Sequence, residues 1–265
     1  MIRIPITMCH GTRPDSSDKA LTMEYFDSLI RIASEMQCSS INYDQLESWR
    51  NGKGSLPERP IMFDFDHPMK SMLHEVHPIL ARYGFRGNLF INTGVMNPED
   101  VPEGYGECMS WAEISELVAA GWHIGAHTVS HPDLSALSLE DPGGNKLREE
   151  LVECDETIEK HLGIRPRDFA FTGTSFSRVA RDEVAKRYRF GRLWITQAHY
   201  DVDGEKVRYA DLVGVEGDDE ADGGPPMAAR YITKETDPYL LPSMEIQALI
   251  HGRGDFREYI GGSFS

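Results

Sequence analysis

Short apolar runs of strand length alternate with amphipathic stretches of helix length from the start of the chain to about residue 195. The clearest helical pattern is 147–162, where apolar residues recur every three or four positions and Gly163 follows as a stop signal. The predicted strands are 2–8, 39–41, 60–66, 87–92, 122–124, 169–171 and 193–195, and the predicted helices are 21–36, 43–49, 68–83, 111–120, 147–162 and 179–188. Such alternation over short connections predicts an α/β protein with a parallel sheet covered by helices. It does not decide whether the sheet is open or closed.

The charge balance restricts the partners of such a protein. Its 265 residues include 27 Lys and Arg against 43 Asp and Glu, for a net charge of −16. Nucleic acid and anionic membranes attract clustered basic residues, so this balance disfavours both. A neutral substrate meets no such penalty. The oligomeric state is left open, with a homo-oligomer as one alternative.

Three further features concern the state of the cysteines, the localisation of the protein and a flexible segment. The four cysteines are scattered without metal-binding spacing, which predicts free thiols. No apolar run approaches transmembrane length, and residues 1–6 enter a predicted strand without a signal-peptide pattern, so we expect a cytoplasmic protein. Segment 214–226 is rich in Gly and acidic residues, which predicts a flexible loop.

Two histidines four positions apart follow the predicted strand 122–124. If the chain turns helically there, His127 and His131 lie on one side of the turn, close to each other. Paired neutral imidazoles bind borderline-soft divalent ions, of which zinc is the first choice. Two histidines at this spacing with no further ligand more often have a structural role. The metal-site interpretation therefore depends on a third ligand from elsewhere in the chain.

A candidate third ligand lies near the end of the predicted strand 60–66. Asp64 and Asp66 share one face because strand side chains alternate, while Phe63 and Phe65 point the other way. Two acids on a buried strand are costly unless an ion or hydrogen bonds satisfy them. We therefore expect one aspartate on the metal and the other free to move a proton.

The same residues resemble a known family. Residues 125–135 (GAHTVSHPDLS) are similar to the second motif of the polysaccharide deacetylases, the NodB-homology or carbohydrate esterase family 4 group. Residues 63–66 (FDFD) stand where that family has Thr-Phe-Asp-Asp-Gly, and the likeness runs from about residue 4 to 200. The resemblance implies a single catalytic domain over 1–265, folded as a distorted (β/α)7 barrel of the NodB-homology type. Functional groups would then gather at the carboxyl ends of the strands.

The resemblance also implies roles for the acids. The family's two aspartates are adjacent, whereas one residue separates them here. Relatives with an Asp-x-Asp spacing place the second acid on the metal, which implies Asp66, His127 and His131 as ligands of one divalent ion. The first acid, Asp64, would be the base that activates water. The two acidic roles could be exchanged, and His67 would steer its neighbour on the metal.

Two segments are candidates for the proton donor. Residues 6–10 (ITMCH) resemble the Met-Tyr-His strand of circularly permuted deacetylases, including those that act on biofilm poly-N-acetylglucosamine. This likeness implies His10 as the general acid. Residues 249–251 (LIH) match the more usual Leu-x-His motif of the family and make His251 the alternative.

The third family motif aligns with residues 169–174 but lacks its proline and tyrosine. The resemblance still implies that the backbone at Gly173 and Thr174 contacts the oxyanion and the substrate. The leading hypothesis is metal-dependent removal of an acetyl group from an N-acetylated sugar or related amide. The altered motif makes another non-peptide C–N bond, as in a cyclic imide or ureide, the alternative. A non-catalytic carbohydrate-binding relative is a third hypothesis, which the retained polar residues disfavour.

Overall fold

The computed structural model describes residues 2–13, 21–96 and 106–264, and every predicted strand and helix overlaps an observed one. The strands are β1 (Ile4–Cys9), β2 (Ser39–Ser40), β3 (Pro60–Asp66), β4 (Asn88–Ile91), β5 (His123–Ala126), β6 (Asp168–Ala170), β7 (Ser175–Phe176), β8 (Phe190–Ile195), β9 (His199–Val202), β10 (Glu205–Arg208), β11 (Tyr231–Ile232) and β12 (Leu241–Glu245). The helices are α1 (Met23–Glu35), α2 (Tyr43–Arg50), α3 (His77–Arg82), α4 (Trp111–Ala119), α5 (Leu134–Glu140), α6 (Asn145–Leu162), α7 (Arg178–Ala185), α8 (Tyr209–Val213) and α9 (Arg253–Gly262).

Seven of the strands form a closed ring. Their order is β1, β3, β4, β5, β6, β8 and β12, and β12 pairs with β1 again. All pairings in the ring are parallel, so that Thr7 lies beside Phe63 on one side and Met244 on the other. The sheet is therefore closed, and the predicted NodB-type (β/α)7 barrel is confirmed. Outside the ring, β2 pairs with β3 and β11 runs antiparallel to β1.

Helix α6 shows how the outer layer packs on the barrel. Its buried face includes Leu147, Leu151, Cys154 and Ile158, at the spacing that predicted an amphipathic helix. Gly163 ends the helix in the left-handed conformation, with φ of 67°. Burial of this apolar face holds the helix against the strands that carry the candidate functional residues.

The helix predicted over 68–83 changes pitch along its length. A π-helical turn, Met72–Val76, runs directly into α3. Pro78 has no N–H to donate, so the regular hydrogen-bond ladder is interrupted there. The N–H of His77 bonds to the carbonyl of Met72, five residues back.

The chain beyond β8 forms elements that the sequence pattern did not predict. Strand β9 pairs antiparallel with β10 and parallel with β7, which makes a separate three-stranded sheet. Strand β12 then closes the barrel. The acidic segment 214–226 contains no helix or strand, and Arg208 and Arg230 bind its Asp219 and Asp222. Its flexibility stays a prediction.

Two general features of the described chain can be compared with the sequence. The four cysteines are free thiols, as predicted. Among the helices that the structure describes, none combines the length and the apolar character needed to span a bilayer.

Candidate metal site and active site

Three imidazoles converge where β3 and β5 end. His67 is the first residue after β3, His127 is the first after β5, and His131 follows four residues later. Their candidate ligand atoms all lie within 4.8 Å of one another. Strand β4 lies between β3 and β5 and holds both backbones, because the carbonyl of Phe90 accepts the N–H of His67 and that of Ile91 accepts the N–H of His127. The barrel thereby aligns two of the three histidines.

His131 reaches this group through a non-helical turn, so the expected helical geometry was wrong. Thr128 and His131 both adopt left-handed backbone conformations, with φ of 68° and 57°. The Thr128 hydroxyl accepts the N–H of His131 at 3.1 Å, and Glu150 on α6 accepts the two N–H groups between them. Left-handed backbone is strained for residues other than glycine and tends to occur at functional sites. The His127 and His131 ring centroids are nevertheless 4.9 Å apart, so the imidazoles do converge.

Hydrogen bonds at Nδ1 define the tautomers of two of these imidazoles. His127 donates from Nδ1 to the carbonyl of Ala170 at 2.8 Å, so its Nε2 carries the lone pair. This Nε2 atom is buried and has no hydrogen-bond partner among the described residues. His67 bonds through Nδ1 to Oδ1 of Asn92, also at 2.8 Å. Such outer hydrogen bonds orient metal-binding histidines, and a buried nitrogen without a partner is costly unless an ion or water satisfies it.

Burial keeps the three imidazoles neutral. Desolvation lowers the pKa of His127 to about 3, lowers that of His67 well below its ordinary value and lowers that of His131 as well. The neutral imidazole is the form that offers a lone pair to a metal. Three nitrogen donors suit a borderline ion such as Zn²⁺, whereas Mg²⁺ and Ca²⁺ prefer oxygen. The residues present therefore fit the divalent ion that the sequence predicted.

Asp66 lies beside the three histidines and binds Arg192. Nη2 of Arg192 donates to Oδ1 of Asp66, while Oδ2 of Asp66 is 3.8 Å from Nε2 of His127. Burial by itself would raise the pKa of Asp66, but the Arg192 guanidinium opposes it and holds this pKa below its usual range. Asp66 is thus an ionised carboxylate next to the imidazoles. The imidazole that completes the group with His127 and His131 is His67, which the sequence analysis had placed only as a neighbour of a ligand.

Asp64 lies one layer deeper in the barrel than Asp66. Its side chain is fully buried and accepts hydrogen bonds from the Tyr43 hydroxyl at 2.6 Å and from Nδ2 of Asn88 at 2.9 Å. Nε of Arg192 is 3.4 Å from Oδ2 of Asp64. Burial raises the pKa of Asp64 to about 6, although Arg192 and the two donors oppose this. These contacts are all made within the barrel interior.

His10 follows β1 and joins the same cluster of rings. Its imidazole stacks on His67 with centroids 5.2 Å apart, and it meets Trp194 edge to face at 5.1 Å. Burial lowers the pKa of His10 to about 4. His251, the alternative donor, is exposed, and its backbone carbonyl accepts the hydroxyl of Tyr25. The fold brings His10 to the three histidines, whereas no described contact joins His251 to them.

Residues 53–189 match the sequence model of the family described as Polysaccharide deacetylase. This span covers just over half of the chain and includes both aspartates and all three converging histidines. The chain belongs to the polysaccharide deacetylase family. The resemblance seen in the sequence is thereby confirmed, and membership of this family supports a hydrolase that acts on C–N bonds.

Solved deacetylase structures share the barrel at low sequence identity. The Streptococcus pyogenes deacetylase PplD, in complex with acetate, matches with a TM-score of 0.72 and 14% identity over 98% of this chain and 98% of its own. IcaB from Ammonifex degensii matches with a TM-score of 0.70 and 15% identity over 100% and 98%. A de-N-acetylase from Aggregatibacter actinomycetemcomitans matches with a TM-score of 0.63 and 17% identity over 72% and 88%. At these identities the likeness concerns the fold alone.

One relative is similar over a short stretch of sequence. The uncharacterized protein YlxY of Bacillus subtilis (strain 168) is 31% identical over 79 residues, which are 30% of this chain and 23% of YlxY. The match thus spans less than a quarter of that relative, and no activity follows from it.

The sequence analysis did not identify Arg192, the residue that joins the two aspartates. Arg192 lies on β8 with its side chain fully buried, and its guanidinium carbon is 4.8 Å from the centroid of the Phe90 ring. It bridges Asp64 and Asp66 from the opposite side of the barrel. A charged residue inside the apolar run 190–195 was the available signal, because a fully buried arginine is rare unless it is paired.

The segment predicted to contact the oxyanion lies after β6. Gly173 has φ of 59°, and a Cβ atom added there would meet no other atom within 4 Å. The Thr172 hydroxyl donates to the carbonyl of Pro132 at 2.5 Å, which ties this loop to the turn that carries His131. The roles of Gly173 and Thr174 stay predictions.

Histidines that the sequence analysis left without a role have structural contacts. Nδ1 of His77 accepts the indole N–H of Trp122 at 3.1 Å. The exposed His161 ring stacks on Trp111 with centroids 4.6 Å apart. These side chains lie on helices of the outer layer and provide controls for substitutions within the site.

Proposed function

We propose that this protein is a metal-dependent hydrolase that removes an acetyl group from an N-acetylated sugar or a related amide. The observation that carries the proposal is the group of three neutral imidazoles, one with a buried nitrogen that lacks a partner among the described residues, beside an ionised carboxylate. Three protein ligands with a further position for water or substrate are typical of catalytic zinc. Membership of the deacetylase family supports the reaction class.

His67, His127 and His131 are the proposed ligands of one divalent ion, with Zn²⁺ as the first choice. His67 takes the place that the sequence analysis assigned to Asp66. Two observations support this change, namely the mutual proximity of the three imidazoles and the hydrogen bond that engages Oδ1 of Asp66 with Arg192. A bound divalent ion supplies Lewis-acid polarisation of the amide carbonyl and lowers the pKa of a water molecule.

Asp66 is the proposed general base. Its Oδ2 is 3.8 Å from Nε2 of His127, close to the imidazole group, and Arg192 keeps the carboxylate ionised. A carboxylate in this state accepts a proton from the attacking water. The sequence analysis gave this role to Asp64. Asp64 instead holds Arg192 from deeper in the barrel, because Oδ2 of Asp64 lies 3.4 Å from Nε of Arg192. Asp66 therefore moves the proton, and Asp64 fixes the position of Arg192.

His10 is the proposed general acid. Its ring packs on His67 at 5.2 Å, so it borders the proposed ligand group. To act as the acid, the His10 imidazole must be in its protonated form, which the Asp66 carboxylate favours and burial opposes. The proton that it delivers to the departing nitrogen lets this nitrogen leave as a neutral amine rather than as an amide anion. Backbone N–H groups at Gly173 and Thr174 remain the proposed contacts of the developing oxyanion.

Metal analysis combined with a substrate panel tests this function. Chelator treatment should abolish the release of acetate from N-acetylglucosamine oligomers, and Zn²⁺ or Co²⁺ should restore it. Ring opening of a cyclic imide in place of acetate release would support a metal-dependent hydrolase but assign it a different substrate. Acetate release that survives complete metal removal, or a metal-loaded protein that cleaves neither substrate class, would refute the proposal.

A further inference from the structure

Trp194 and Glu245 form a hydrogen-bonded pair beside His10. Nε1 of Trp194 donates to Oε2 of Glu245 at 2.6 Å. The indole ring meets the His10 imidazole nearly at a right angle, with centroids 5.1 Å apart and an interplanar angle of 82°. A continuous chain of contacts therefore leads from Glu245 through Trp194 to His10, and none of these residues belongs to the group of three imidazoles.

The barrel places this chain of contacts on three neighbouring strands. His10 follows β1, Trp194 is on β8, and Glu245 is the last residue of β12, which lies between them. In the parallel register Glu245 lies beside Met8, while Trp194 lies beside Ser243. The indole thus reaches from β8 across the end of β12 to the residue after β1. Glu245 stands at the strand end that the indole crosses.

The carboxyl group of Glu245 is almost completely buried. Only 4% of the residue is exposed, and no Lys, Arg or His of the described chain forms an ion pair with it. Its hydrogen bonds come from the indole and, at 3.2 Å, from the backbone N–H of Gln247. Burial raises its pKa to about 7. A buried carboxyl group held by two neutral donors is less favourable than an apolar side chain, so packing alone does not explain this residue.

We propose that Glu245 is a positioning residue for the general acid, acting through Trp194. The hydrogen bond fixes the indole, and the indole together with His67 fixes the plane of the His10 imidazole. The inference rests on the proposed function, because it requires His10 to deliver a proton. A ring already held in its reacting orientation delivers that proton without first being ordered. Without the bond to Glu245, the indole can turn and His10 becomes mobile, which slows proton delivery and leaves substrate binding intact.

Leaving-group dependence distinguishes this role from a general structural one. An N-acetylglucosamine oligomer needs a proton on its departing amine, whereas 4-nitrophenyl acetate expels a stable phenolate that needs none. We expect Glu245→Ala to lower kcat on the oligomer about tenfold, with KM changed less than about twofold. The same variant should hydrolyse 4-nitrophenyl acetate at the wild-type rate.

Two further variants test whether the hydrogen bond between Trp194 and Glu245 is itself required. Glu245→Gln keeps an oxygen that accepts the indole N–H and should retain the wild-type kcat on the oligomer. Trp194→Phe keeps an aromatic ring against His10 but has no N–H, and it should show the selective loss seen in Glu245→Ala. If Glu245→Ala does not fold, the comparison of Glu245→Gln with Trp194→Phe carries the test alone.

The outcomes separate this inference from the function on which it rests. Equal losses on both substrates, or wild-type kcat on the oligomer in both Glu245→Ala and Trp194→Phe, would overturn the positioning role while the deacetylase activity stands. A metal-loaded wild type without activity on any N-acetylated substrate would refute the proposed function, and the positioning role with it. A selective loss on the oligomer that Glu245→Gln does not share supports the inference.

Discussion

Nη2 of Arg192 donates a hydrogen bond to Oδ1 of Asp66 inside the barrel, where both side chains are almost completely buried. Asp64 approaches the same guanidinium at Nε, so one arginine lies between two carboxylates. A planar guanidinium offers donors in fixed directions, which a lysine ammonium does not. This relationship orients the Asp66 carboxylate and keeps it ionised, as the proposed role of general base requires.

We expect Arg192→Lys to move the acidic limb of the pH profile of kcat/KM to higher pH. Arg192 lowers the pKa of Asp66, so a weaker contact lets that pKa rise and leaves less ionised base at a given acidic pH. The profile is measured with metal-saturated protein. Arg189→Lys is the matched control, since Arg189 binds Asp168 and Glu47 at the opposite end of the strands. An unmoved limb in the Arg192 variant, or the same movement in both, would contradict the assignment.

His127→Ala should abolish stoichiometric metal binding together with activity. The substitution removes the buried Nε2 that has no hydrogen-bond partner among the described residues. Metal content after dialysis and acetate release measure the two effects. His161→Ala removes an exposed ring that stacks on Trp111 and should leave both unchanged. Undiminished metal affinity in His127→Ala would exclude this histidine as a ligand.

The choice between His67 and Asp66 as the third ligand is decided by a pair of variants. His67→Ala should lose the metal. Asp66→Asn should keep it while kcat falls about 10²- to 10⁴-fold, the usual contribution of a general base. Asp64→Asn should keep the metal and lose less turnover than Asp66→Asn, because Asp64 acts through Arg192. Metal retained in His67→Ala and lost in Asp66→Asn would restore the assignment made from the sequence.

Glu245 should make the stability of the protein depend on pH. Burial raises its pKa from 4.5 to about 7, so the folded state binds this proton more tightly than the unfolded state. The stability linked to the group is present at low pH and is lost as the pH rises through that interval. Glu245→Gln does not titrate, so its free energy of unfolding relative to wild type should increase over the interval by about 3 kcal/mol. Urea unfolding of both metal-free proteins at several pH values measures this, and a constant difference would contradict it.

Much of the fold is visible in the order of residues. The apolar periodicity of α6 and the runs that form β3, β4 and β5 depend on short-range spacing, and they are found where the pattern predicts them. Several elements after β8 are short, and no residue of β10 is fully buried, so their local signal is weak. They form because the barrel and its neighbours hold them.

The sequence by itself determined the parallel α/β pattern and pointed to most residues of the proposed site, because both depend on local spacing and residue type. Tertiary structure decided what those residues contact. Ring closure brought Arg192, far along the chain, between Asp64 and Asp66. The left-handed backbone of His67, with φ of 64°, interrupts the alternation of β3, so that the side chains of adjacent residues Asp66 and His67 both lie at the imidazole cluster. Strand periodicity predicts that the side chains of such neighbours point to opposite faces of the sheet. The backbone conformation at the strand end changes this direction, and it is visible only in the tertiary structure.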